Sequence, residues 1–270
     1  HCEDTPMIER NAAAARAKYG EDVPFSEHPN IRSTEACYIS TKLAVRQAKK
    51  HGAQLHVPHL STARELEFFA PGPVAGKRIT TEACVHHLFL DASSYDRLGA
   101  KMKCNPAIKT AKDREALVRA VREGRIDTIA TDHAPHTREE KAQSYFKAPS
   151  GLPLVQHALP ILFELADRGE LGVTTIVERA CHAPAIRFGV AERGFLREGY
   201  FADLTLVDPK ATTTVSRDNI LYKCGWSPFE DDTFPVRIDA TWVNGQLAWR
   251  DGALQGGPAG QRLAFAARPR

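Results

Sequence analysis

No run in this 270-residue chain approaches the roughly 18 consecutive apolar residues that a membrane-spanning helix needs. The opening residues His1-Cys2-Glu3-Asp4 are polar and acidic, unlike a secretory signal. The six cysteines (Cys2, Cys37, Cys84, Cys104, Cys181, Cys224) include no close pair, which excludes a zinc ribbon or a C-x-x-C redox motif. Reduced thiols and a cytoplasmic location are the expectation. An excess of either charge is also missing: 36 basic against 33 acidic residues leave +3. No nucleic-acid footprint emerges beyond an arginine-bearing end at Arg262, Arg268 and Arg270, read as solvated. Internal repeats, low-complexity segments and any His-x-His pair are absent too. What is present is 43% apolar content, enough to bury a large core as one domain or a domain with an appendage.

Ser33 precedes apolar positions at Ala36, Ile39, Leu43, Ala44 and Ala48, and Lys49-Lys50-His51-Gly52 follow, predicting a capped helix. A short strand at Gln54 to Val57 comes next. A second cycle gives a helix from Thr62 to Phe69 and a strand from Arg78 to Val85 ending at His86-His87. A third runs from Thr110 as N-cap to Gly124 as stop, then a strand from Ile126 to Thr131. Further helices are expected near Val155 to Arg168 and Thr174 to Cys181. Beyond Gly194 the texture changes to short strands: Ala202 to Val207, Ala211 to Val215, and Ile238 to Val243 with Asn244-Gly245 turning into Leu247 to Trp249. Alternating helix and strand with polar residues at strand ends predicts a parallel α/β architecture whose site lies at those ends.

Three polar clusters sit where strands should end: His1 with Glu3 and Asp4, His56 with His59, and Asp132 with His133 and His136. Imidazoles and carboxylates from separate strand ends can converge on zinc. Each cluster alone reads more readily as structural than as ligating. His56 and His59, three apart, would face opposite ways on a strand, and His86-His87 would diverge as strand neighbours. Glu3 and Asp4 read as helix-start carboxylates and His133 as a packing residue.

His1-Cys2-Glu3-Asp4, His59-Leu60-Ser61-Thr62-Ala63, Cys104-Asn105-Pro106 and Thr131-Asp132-His133-Ala134-Pro135-His136 together resemble the dihydroorotases of the amidohydrolase superfamily in order and spacing. Gly199-Tyr200-Phe201-Ala202-Asp203-Leu204 and Trp242-Val243-Asn244-Gly245 resemble that superfamily's C-terminal β-sandwich segments. The resemblance implies the C-terminal half of a TIM-like (β/α)8 metal-dependent hydrolase barrel over 1–190. A composite β-sandwich segment over 191–258 and a flexible tail over 259–270 complete it. Two zinc ions are implied, His1 and His59 ligating one and Asp132 the other, with Asp132 also the acid/base residue. Zinc-activated hydroxide would interconvert dihydroorotate and N-carbamoyl-L-aspartate in pyrimidine biosynthesis. Asn105 and His136 would grip the substrate's carboxylate and ring, and Gly151 would present its backbone to the pyrimidine edge.

Allantoinases and hydantoinases share much of this metal site, and His136 is the feature that favours a dihydroorotase. A non-catalytic relative is the other alternative. The resemblance is also compatible with a homodimer and with attachment to a transcarbamoylase. The family's upstream His-x-His pair, substrate arginine and bridging carboxylated lysine or aspartate have no counterpart here. The expectation is truncation, with the isolated segment binding zinc weakly and inactive, since half a barrel exposes its sheet edges.

Overall fold

A computed structural model describes residues 1–266; Arg268 and Arg270 of the expected tail lie outside the described residues. The chain opens with α1 (Thr5–Tyr19), α2 (His28–Ile31) and α3 (Thr34–His51). β1 (Leu55–Val57), β2 (Ile79–Cys84), α4 (Val85–Phe89), α5 (Tyr95–Leu98), α6 (Ala111–Arg122) and β3 (Thr128–Ala130) follow. Then come α7 (Arg138–Lys141), α8 (Ala158–Asp167), α9 (Val173–Val177) and α10 (Ala183–Phe188). The last part is mostly strand, with one 3-10 turn at Arg217–Asn219: β4 (Leu204–Asp208), β5 (Thr213–Thr214), β6 (Thr233–Phe234), β7 (Arg237–Val243), β8 (Gln246–Arg250) and β9 (Ala253–Leu254).

Local chemistry accounts for the main helices. Ser33 accepts a hydrogen bond from the Ala36 N–H at the start of α3, and Gly52 ends it in the left-handed region at φ 60°. The buried positions Cys37, Thr41, Val45 and Ala48 then fall on one stripe. Thr110 and Asp113 form a reciprocal capping box on α6, which buries Leu117, Val118 and Val121.

β1, β2 and β3 make a parallel sheet with β2 in the middle, Leu55 opposite Ile79 and Cys84 opposite Ala130. Its residues Val57, Ala83 and Ile129 join Leu117, Val121, Ile161 and Leu165 from the helices in one core. Lys77 and the Thr81 N–H both reach the buried Asp127 carboxylate, at 2.7 and 2.9 Å, tying the entry of β3 to β2. Trp226, Phe229 and Phe234 seal the core from the following segment. The second sheet is antiparallel, in the order β4-β7-β8-β9, and Asn244-Gly245 forms its two-residue turn with φ 52° and 78°.

Several expectations need correction. The second strand ends at Cys84, so His86 and His87 lie on α4. The helix expected from Thr62 is a 3-10 turn at Arg64–Phe68. The helix from Thr174 is interrupted by a π turn at Glu178–His182 before α10. Near the end of the described residues, the Ala264 carbonyl accepts from the Ala191 N–H and the Ala266 N–H donates to the Gly189 carbonyl. Among the described residues, no helix is long and apolar enough to cross a membrane.

Candidate active site

The candidate residues gather just beyond the C-terminal ends of the parallel strands. His59 stands two residues past β1 and Asp132 two residues past β3. Both have a positive φ, 40° and 47°. Non-glycine residues adopt that conformation at a cost of order 1–3 kcal/mol, so the surrounding fold has to enforce it. Alternation along a strand therefore does not govern His59: Pro58 ends β1, and the left-handed residue re-aims the ring.

His59, 3% exposed, places Nε2 2.6 Å from Nδ1 of His1. Burial pushes the His59 imidazole down to about 4, leaving a neutral ring with a lone pair to offer. Two imidazole nitrogens facing each other suit one zinc-class ion. His56, by contrast, is tied on both nitrogens, to Thr80 Oγ1 at 2.9 Å and Glu82 Oε2 at 3.1 Å.

Asp132 is exposed as a residue, and its side chain makes no hydrogen bond among the described residues. Partial removal from water, then the nearby Glu82 charge, lift its carboxyl above the ordinary range. Glu82 was missed in the sequence. It projects from the centre of β2, and its charge acts on both His59 and Asp132. The available signal was an acidic residue inside the buried run Ile79-Thr80-Thr81-Glu82-Ala83-Cys84.

His136, Gly151 and Asn105 occupy adjoining backbone. Gly151 has φ 145°, and a Cβ there would lie 2.4 Å from the Ala134 carbonyl and 3.1 Å from His136 Cδ2. Glycine is required for this close approach. His136 Nε2 lies 3.2 Å from the Ser150 carbonyl, and the His136 carbonyl accepts from Trp226 Nε1 at 2.7 Å. The Gly151 N–H donates to the Lys103 carbonyl, leading into the Cys104-Asn105-Pro106 loop. Lys141 Nζ, buried, donates to the carbonyls of Lys103, Pro149 and Gly151 and pins the loops together. Asn105 Oδ1 is buried without a partner among the described residues. Of the other polar residues, Asp4 caps α1 by accepting from Met7, whereas Glu3 pairs with Arg32. His133 Nδ1 accepts from the Leu154 N–H.

The sequence matches the amidohydrolase family model over residues 20–248. The chain belongs to the amidohydrolase family. A dihydroorotase of Halobacterium salinarum is 38% identical over 251 residues, 92% of this chain and 56% of that protein. A dihydroorotase of Pyrococcus furiosus is 30% identical over 97% of this chain and 57% of its own length. This amidohydrolase chain thus spans little more than half the length of the curated relatives it matches. Among solved structures, a D-hydantoinase from Bacillus sp. AR9 superposes with a TM-score of 0.84 at 26% identity, covering 95% of this chain and 58% of that one. The dihydropyrimidinase of Brevibacillus agri, at 23% identity and a TM-score of 0.86 over all of this chain and 60% of that one, shares the fold.

Proposed function

We propose that this chain forms part of the active site of a zinc-dependent cyclic-amide hydrolase, a dihydroorotase, acting on dihydroorotate and N-carbamoyl-L-aspartate in the cytoplasm. The observation that carries the reading is the strand-end geometry. His59 and Asp132 occupy the same position past two strands that flank β2, each held at a positive φ, and the His1 imidazole converges on His59.

In this reading residues 1–190 are the second half of a catalytic barrel and 191–258 a sandwich segment. His1 and His59 hold one zinc ion and Asp132 contributes to a second. Zinc supplies the positive charge that acidifies water and polarises the ring carbonyl. Asp132 takes a proton at its carboxylate and returns it to the leaving amide nitrogen. Asn105 offers its buried, unpartnered carbonyl oxygen, and His136 with the Gly151 backbone frames the other edge of the substrate.

The second reading, a hydantoinase, draws on fold likeness to the Bacillus sp. AR9 D-hydantoinase. His136 and the 30–38% identity to dihydroorotases of Halobacterium and Pyrococcus favour the first. The test is zinc-dependent ring opening in the complete protein, with dihydroorotate, allantoin and hydantoin compared side by side. Dihydroorotate turnover is expected; turnover of allantoin or hydantoin alone overturns the choice, and absence of all three supports a non-catalytic relative.

A further inference from the structure

The C-terminal end of β2 carries a cluster that the proposed reaction does not use. Cys84 closes the strand, and His86 and His87 sit on the first turn of α4. Adjacent residues on a helix usually point apart, yet these two rings lie 4.1 Å apart between centroids, tilted by 42°. The Cys84 Sγ and one nitrogen from each ring all lie within 4.8 Å of one another, the only such trio of histidine, cysteine or carboxylate donors among the described residues.

The hydrogen bonding is uneven in an informative way. His87 Nε2 donates to the Pro106 carbonyl at 3.0 Å, which fixes the tautomer and leaves Nδ1 as a bare lone pair without a partner. A histidine that ligates a metal characteristically gives its other N–H to a backbone carbonyl in this way. Neither nitrogen of His86 has a partner among the described residues. Cys84, His86 and His87 are 0, 1 and 3% exposed, so atoms of this chain cover them and the bare nitrogens do not face open solvent. Buried polar groups left unanswered are rare and costly, and a cation answers all three at once.

We propose that Cys84, His86 and His87 form a separate metal site that takes one zinc-class ion through a thiolate and two neutral imidazoles. The donor set suits such a borderline-soft cation, and hard, oxygen-seeking ions such as magnesium or calcium do not fit it. On binding, the Cys84 S–H bond breaks, its proton passes to solvent and a sulfur–metal bond forms, with no change of oxidation state. The ion fastens the first turn of α4 to the end of the central strand, between the positions of His59 and Asp132 but sharing no residue with them. The inference stands independently of the proposed reaction.

The test uses Co2+ as the probe, added to metal-free purified protein. A near-ultraviolet thiolate-to-cobalt absorption saturating at one equivalent is expected. It should vanish in Cys84→Ser and persist in Cys2→Ser, the substitution of the thiol next to His1. His87→Gln, which keeps the thiol, should weaken the cobalt affinity read by that band roughly 10–100-fold. Absence of the band, its survival in Cys84→Ser or its loss in Cys2→Ser overturns the proposal. If Cys84→Ser does not fold, zinc-edge X-ray absorption of zinc-loaded Cys2→Ser decides. A sulfur in the zinc shell supports the site, and a shell of nitrogen and oxygen alone overturns it.

Discussion

The parallel sheet and the four-stranded antiparallel sheet solve burial differently. In the parallel sheet the central strand β2 has Thr80, Thr81, Ala83 and Cys84 fully buried, with side chains on both faces covered. In the antiparallel sheet β4 leaves Leu204 and Leu206 on one exposed face, at 41 and 52% exposure. Parallel strands covered on both sides form a rigid frame, and residues just past their ends can be held in costly conformations. That is where His59 and Asp132 sit. The antiparallel sheet, exposed along β4, holds positive φ among the described residues only at turns such as Asn244-Gly245, where the geometry demands it and nothing crowds it. Every histidine of the chain also lies between His1 and His182, on the side of the parallel sheet.

The sharpest way to separate chemistry from stability in the first region is Asp132→Asn. Asparagine tolerates the left-handed conformation well and Asp132 is exposed, so the melting midpoint should hardly move. On the proposed function, loss of the Asp132 carboxylate should lower kcat for dihydroorotate in the complete protein by roughly 10²–10⁴-fold. A variant that loses stability along with activity would make Asp132 a structural residue.

Gly151→Ala and Gly245→Ala put the same methyl group into both regions. At Gly151 it meets the Ala134 carbonyl at 2.4 Å with φ 145°, whereas at Gly245 there is nothing within 4 Å and only the positive φ of 78° resists. Urea unfolding should show a loss of about 3 kcal/mol for the first and about 1 kcal/mol for the second. Equal losses would erase the contrast between the frames.

How much of this was legible in the sequence follows the range of the interactions. The capped helix behind Ser33, the Thr110 cap and the Asn244-Gly245 turn are written in neighbouring residues, and they form as expected. Only the start of α1 was read, from Glu3 and Asp4 as helix-start carboxylates, and Asp4 is its N-cap; its length was not, because it buries only Ala15 and so shows little apolar periodicity. His86 and His87 were misplaced because α4 starts immediately at Val85, and the strand rule for their side chains then fails. Glu82 acts on His59 and Asp132 only through neighbouring strands, a relation that no local spacing encodes.

Acid should discriminate between the regions. His28 is fully buried, with Nδ1 2.7 Å from the Tyr145 hydroxyl and Nε2 2.7 Å from the Cys104 carbonyl. Burial holds it down to about 3, and His157 to about 4. A folded pKa below the unfolded value of 6.5 gives stability that is complete above pH 6.5 and is lost as the pH falls from 6.5 towards 3, because only the unfolded chain accepts the proton. His28 should contribute a slope of about 1.4 kcal/mol per pH unit within that window, and His28→Gln should remove that share from urea midpoints measured between pH 6 and 4. Hydrogen exchange should show the parallel sheet opening before the antiparallel one, which carries no histidine. The reverse order would mean that burial of neutral imidazoles does not set the acid limit.

The smallest effect belongs to the open face of β4. Leu206 is 52% exposed and pairs with Ala240 across the sheet, so Leu206→Thr removes little buried apolar area and introduces a β-branched side chain suited to a strand. Stability should change by less than about 0.5 kcal/mol. Leu117→Ala in α6, with its side chain 1% exposed in the core behind the parallel sheet, should instead cost roughly 2–5 kcal/mol. Were Leu206→Thr to cost as much as a core leucine, β4 would be packed against something in solution, and the antiparallel sheet would be covered on both faces like the parallel one.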